Sequence, residues 1–85
     1  MELRALIVDD EALARARMRT LLQECPAPRV RVEGEAANAA QAMELLARQA
    51  VDVILLDIHM PGTDGLALAH QLTARSDAPA VVFVT

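Results

Sequence analysis

Val51-Asp52-Val53-Ile54-Leu55-Leu56-Asp57 is the densest apolar run in the chain, interrupted only by Asp52 and cut off at Asp57. A short apolar run of this kind reads as a strand covered on both faces, the condition of an interior strand in a parallel sheet. It is therefore the candidate central strand, and it delivers an acid at its carboxyl end. Leu3 to Val8 repeats the pattern, with β-branched Ile7 and Val8 followed by Asp9-Asp10-Glu11. On the far side, Pro79 introduces Ala80 to Val84, a third apolar strand that ends in Thr85.

The segments between these runs carry helical signals. Ala14, Met18, Leu21, Leu22 and Cys25 recur at helical spacing while Arg15, Arg19 and Gln23 face elsewhere, and Pro26 and Pro28 end the pattern, which predicts a first helix over Glu11 to Glu24. Val30, Val32 and Gly34 then alternate with Arg31, Glu33 and Glu35, as in a strand near a sheet edge. Asn38 followed by Gln41 is a capping-box arrangement, and Ala39, Ala42, Met43, Leu45, Leu46 and Ala50 supply the apolar surface of a second helix. Met60-Pro61-Gly62-Thr63-Asp64-Gly65 is a turn by composition, and Leu66, Ala69 and Leu72 place a third helix after it.

Strand and helix thus alternate through four strands, which predicts an α/β domain with a parallel sheet and helices on both faces. Such sheets bind ligands outside the carboxyl ends of their strands, where Asp9-Asp10, Asp57 and Thr85 all fall.

Composition narrows the function. Eighty-five residues allow one domain, and a 54% hydrophobic content with a mean hydropathy of +0.27 is too apolar for disorder. No apolar run approaches the roughly 20 residues that span a bilayer, and no basic segment leads into a long apolar one, so no membrane span and a cytoplasmic location are expected. Twelve acids against eight arginines give a net charge of −4, which supplies no broad surface for direct nucleic-acid binding. The single cysteine, Cys25, cannot pair within the chain, and its place beside Leu21 and Leu22 predicts a buried helix-end residue.

Three carboxylates gathered at one rim repel one another unless a divalent cation neutralises them, and an oxygen-only set with room for water and phosphate suits Mg²⁺. A carboxylate at such a metal accepts a phosphoryl group once charge on the transferring oxygens is neutralised. Asp57, on the central strand, is the candidate nucleophile. Asp9 and Asp10 also suit the start of the following helix, a capping role that coordination does not exclude. Pro61, Gly62 and Gly65 read as conformational residues that turn the chain away from Asp57.

Ile7-Val8-Asp9-Asp10-Glu11 and Leu56-Asp57-Ile58-His59-Met60-Pro61-Gly62-Thr63-Asp64-Gly65 resemble the two signature stretches of bacterial two-component response-regulator receiver domains. The separation between them and the strand and helix pattern fit as well, so the resemblance covers the whole chain. It implies a flavodoxin-like, CheY-like doubly wound parallel sheet. It also implies Asp57 as the phosphoacceptor, and Asp10 and Asp57 as direct Mg²⁺ ligands with the backbone carbonyl of His59. Asp9 then acts mainly through water, and the Thr85 hydroxyl contacts the phosphoryl group and shifts on activation. The implied partners are a sensor histidine kinase and an output domain. The Val-Asp-Asp-Glu form with its arginine-rich first helix is more narrowly similar to receivers joined to a LytTR-type DNA-binding domain, which implies transcription regulation by the parent protein.

The family also uses a lysine at the end of a fifth strand, and this chain contains no lysine. Residues 1–85 are accordingly expected to be a truncated receiver domain, with Val81 to Val84 as an unpaired apolar edge open to homodimerisation or other association. Two other functions compete: a Mg²⁺-dependent phosphatase-type enzyme working through an aspartyl phosphate, and a phosphorylation-independent dimerisation module. Conventional turnover is left open, with self-dephosphorylation as the expected reset. His59 and His70 are expected to place their rings at the surface. Arg15, Arg17 and Arg19 form a basic patch, read as a solvated helix face or as a surface for a histidine-phosphotransfer partner.

Overall fold

The computed structural model describes residues 2–57, 65–74 and 77–84. The apolar run from Val51 to Leu56 forms strand β3, Val53–Leu56, which begins two residues later than the composition suggested. Around it lie β1 (Glu2–Val8), α1 (Ala12–Glu24), β2 (Arg29–Ala36), α2 (Ala39–Arg48), α3 (Gly65–Thr73) and β4 (Ala80–Phe83), in the expected alternating order. The strands form one sheet in the order β2-β1-β3-β4, and every pairing is parallel. This is the order in which a flavodoxin-like sheet begins, with β1 and β3 inside.

The pleat divides the sheet residues between two faces. Leu6, Val8, Ala36, Ile54 and Leu56 join Ala42 and Leu46 of α2 and Leu68, Ala69 and Leu72 of α3 in one buried apolar cluster. Gly34 lies on this face and lets α2 approach: a Cβ there would stand 3.3 Å from the Leu45 side chain. Ala5 and Ile7, also fully buried, point the opposite way, beneath α1. The amino end of α2 is capped as expected, with Asn38 Oδ1 accepting from the Gln41 amide at 2.9 Å, but the reciprocal bond runs from the Ala37 amide to Gln41 Oε1 at 2.7 Å.

Four expectations need correction. In α1, Leu21 is 66% exposed and Leu13 is exposed with it, while Arg15 and Arg19 turn toward the sheet and share Glu35. Only Arg17 of the three helix arginines stays a solvated residue. Cys25 is exposed rather than buried, because it follows α1 in extended conformation and its neighbours no longer repeat at helical spacing. Leu66 of α3 is exposed, and Leu68 takes the inward place. The alternation in β2 is broken, since Ala5 pairs with Val32 but Leu6 pairs with Gly34, which leaves Glu33 as an extra residue in a bulge.

His70 lies exposed, as expected. No helix among the described residues is long and apolar enough to cross a membrane. The edge strand β4 leaves Val82, Phe83 and Val84 exposed, in line with the expected open apolar edge.

Candidate functional site

Each strand that ends in an acid extends its hydrogen bonding one residue further, and that extension builds the site. The Asp9 amide donates to the Ala36 carbonyl at 3.0 Å, and the Asp57 amide donates to the Val8 carbonyl at 3.0 Å. Both acids are thus tied to a neighbouring strand at the point where the sheet stops. Carboxylate oxygens of Asp9, Asp10 and Asp57 then lie within 4.8 Å of one another, although 47 positions separate Asp10 from Asp57 in the chain.

The three acids differ in setting. Asp9 is only 5% exposed, Asp57 is half-buried and Asp10 faces solvent. Asp9 Oδ1 accepts from the Glu11 amide at 2.9 Å, so this side chain turns the chain into α1, whose N-cap residue, Glu11, makes no side-chain cap of its own. Burial pushes the Asp9 carboxyl above the ordinary carboxylate range, the charges of Asp57, Asp10 and Glu11 push it the same way, and the Glu11 amide opposes them. Two like charges 4.8 Å apart repel by on the order of 3 kcal/mol at an effective dielectric of about 20. A divalent cation removes that repulsion. The donors are all oxygen, and their spacing approaches the roughly 4.2 Å that separates opposite ligands of one Mg²⁺, so the residues present fit such an ion.

Of the residues expected at the site, the fold brings together Asp9, Asp10 and Asp57. His59 and Thr85 lie outside the described residues, as does the turn Met60 to Asp64. Val84, the residue before Thr85, donates its amide to the Leu56 carbonyl at 3.0 Å, so β4 keeps pace with β3 as far as the residue beside Asp57. One contact to the site escaped the sequence reading: Arg15 Nη1 donates to the Asp9 carbonyl at 2.6 Å. Its partner Glu35 lies 20 positions away on another strand, and no periodic signal links the two.

Comparison with known proteins agrees with this picture. The model of the family described as "Response regulator receiver domain" matches residues 5–85. The chain is 46% identical over 80 residues to a positive alginate biosynthesis regulatory protein of Pseudomonas aeruginosa, covering 94% of this chain and 32% of that protein. It is 42% identical over 80 residues to the sensory transduction protein LytT of Enterococcus faecalis, covering 94% of this chain and 32% of that protein. It is also 40% identical over 83 residues to a protein-glutamate methylesterase/protein-glutamine glutaminase of Alkalilimnicola ehrlichii, covering 98% of this chain and 21% of that protein. The chain therefore spans about a third or less of these relatives. Among solved structures, the response regulatory domain of mrkE from Klebsiella pneumoniae superposes with a TM-score of 0.84 at 28% identity, over 95% of this chain and 65% of that one.

Proposed function

Because the chain belongs to the response regulator receiver domain family, we propose that Asp57 accepts a phosphoryl group from a phosphohistidine of a sensor kinase. The observation that carries this reading is the placement of a half-buried carboxylate at the end of an interior strand, with two further carboxylates within 4.8 Å. An Asp57 oxygen attacks phosphorus in line with the departing imidazole nitrogen, the P–N bond breaks as the P–O bond forms, and the imidazole takes up a proton. Bound Mg²⁺ supplies neutralisation of the phosphoryl oxygens. Asp10 and Asp57 would hold it directly with the His59 carbonyl, and Asp9, hydrogen-bonded and buried, would act through water. The Thr85 hydroxyl reads the phosphoryl group. Water later hydrolyses the acyl phosphate, which resets the protein without conventional turnover.

The output follows from added charge at the strand ends, which shifts the domain between two states that differ in partner preference. We place the protein in the cytoplasm, with an output of LytTR-type DNA-binding character. The similarity to the alginate regulator and to LytT supports that output, while the similarity to the methylesterase supports an enzymatic output as the alternative. The test is exposure of the full chain to a small-molecule phosphodonor with Mg²⁺, followed by intact mass. The wild type gains one phosphoryl group and Asp57→Asn gains none; a gain in both removes Asp57 from the role.

A second reading has one observation in its favour. The exposed Val82, Phe83 and Val84 at the β4 edge suit a module that associates without phosphorylation. Partner binding that survives Asp57→Asn and ignores metal would select it.

A further inference from the structure

We propose that Arg15 is a positioning residue for the acidic rim, holding the peptide that joins Asp9 to Asp10; the inference rests on the metal-site reading given above. The Asp9 main chain is held on both sides. Its amide is fixed by Ala36 on β2, and its carbonyl accepts Arg15 Nη1 at 2.6 Å from α1. A peptide unit is planar, so fixing the Asp9 carbonyl also fixes the direction in which the chain enters Asp10. No hydrogen bond or ion pair among the described residues holds the Asp10 carboxylate itself. Its place beside Asp9 and Asp57 is therefore inherited from the backbone.

The guanidinium that does this is oriented in turn. Arg15 Nε donates to Glu35 Oε1 at 3.2 Å, and Arg19 donates to Glu35 Oε2 through Nε at 2.8 Å and Nη2 at 2.6 Å. Glu35 lies beside Ile7 on the α1 face of the sheet, and the side chains of Arg15 and Glu35 are 18% and 29% exposed, so their contact is partly shielded from water. A planar guanidinium with several fixed donors serves a carboxylate and a carbonyl at once, which a single ammonium does not. The two arginines differ in one respect that makes the proposal testable: both bind Glu35, and only Arg15 reaches Asp9.

The experiment measures Mg²⁺ affinity of the full chain by titration calorimetry, urea stability, and the Asp10 backbone amide resonance of the metal-free protein. Arg15→Met is expected to weaken Mg²⁺ binding about tenfold, as losing an outer contact to a metal site does. It also moves the Asp10 resonance without metal present. Arg19→Met loses stability through the same Glu35 but keeps Mg²⁺ affinity within about twofold. Arg15→Lys recovers part of the affinity, and it carries the comparison if Arg15→Met does not fold. Unchanged affinity and an unmoved Asp10 resonance in the Arg15 variants overturn the positioning role and leave the metal site standing. A wild type that binds Mg²⁺ no better than Asp57→Asn overturns the metal-site reading, and the positioning role with it.

Discussion

Arg4 and Asp52 close a ring of hydrogen bonds at the end of the sheet opposite the acidic rim. The Asp52 amide donates to the Arg4 carbonyl at 2.8 Å, and the Asp52 carboxylate accepts from the Arg4 amide at 2.7 Å and from its Nε and Nη2 at 3.2 and 3.1 Å. The guanidinium bonds first, and the amide second, hold the Asp52 carboxyl below the ordinary carboxylate range. A folded-state pKa below the unfolded value of about 3.9 means that the stabilisation is complete above that value and is lost as pH falls through the folded one. The urea-midpoint gap between wild type and Asp52→Asn is expected to stay constant above about pH 5 and to close progressively below about pH 3.9. A gap that persists undiminished into strong acid would show that the carboxylate charge is not its source.

The two faces of α1 and the sheet give a contrast in size. Ile54 is fully buried in the apolar cluster, and Ile54→Ala is expected to cost about 2–5 kcal/mol. Leu21, of similar volume and equally apolar, is largely in solvent, and Leu21→Ala is expected to change stability by no more than about 0.5 kcal/mol. Chemical denaturation of the two variants checks this, and equal losses would mean that α1 is packed the other way round.

Gly34 sits where α2 crosses β2, with the Leu45 methyl 3.3 Å from the position of an added Cβ. Gly34→Val is expected to cost about 1–3 kcal/mol through overpacking. Trimming the neighbour should relieve it, so the Gly34→Val and Leu45→Ala changes combined should depart from additivity by about 0.5 kcal/mol or more. Additive losses would place the strain elsewhere.

At the other edge, Val82 and Phe83 are 44% and 46% exposed on a strand that ends the sheet order. The 85-residue chain is expected to sediment faster as its concentration rises, and Val82→Lys is expected to reduce that dependence, since charge on an edge strand opposes pairing. Concentration-independent sedimentation of the wild type as a monomer would count against association at this edge.

The sheet was legible because its interior strands must be apolar on both faces, so Leu3 to Val8 and Val51 to Leu56 stood out and broke off sharply at acids. The gathering of Asp9, Asp10 and Asp57 followed from the strand order. The inward face of α1 was not legible, because its deciding contact is ionic: Arg15 and Arg19 face the sheet only because Glu35 waits there, 20 and 16 positions away. Apolar periodicity alone assigned Leu21 to that face and Arg15 to the opposite one. Cys25 failed for a local reason, since the helix ends one residue before it.

The bulge at Glu33 sets the parity of everything that follows it in β2. Before it, Val30 and Val32 sit beside Leu3 and Ala5; after it, Gly34 and Ala36 fall beside Leu6 and Val8, and Glu35 beside Ile7. Had β2 continued in step, Glu35 would have stood beside Val8 with its carboxylate among Leu46, Ile54 and Leu56, while Arg15 and Arg19 faced a glycine. One supernumerary residue, its own side chain tethered by Gln49 and Arg31, therefore sorts charge from hydrocarbon across the sheet. Removing Glu33 would turn the tail of the strand inside out, and the acidic rim would lose its footing without Asp9, Asp10 or Asp57 being touched.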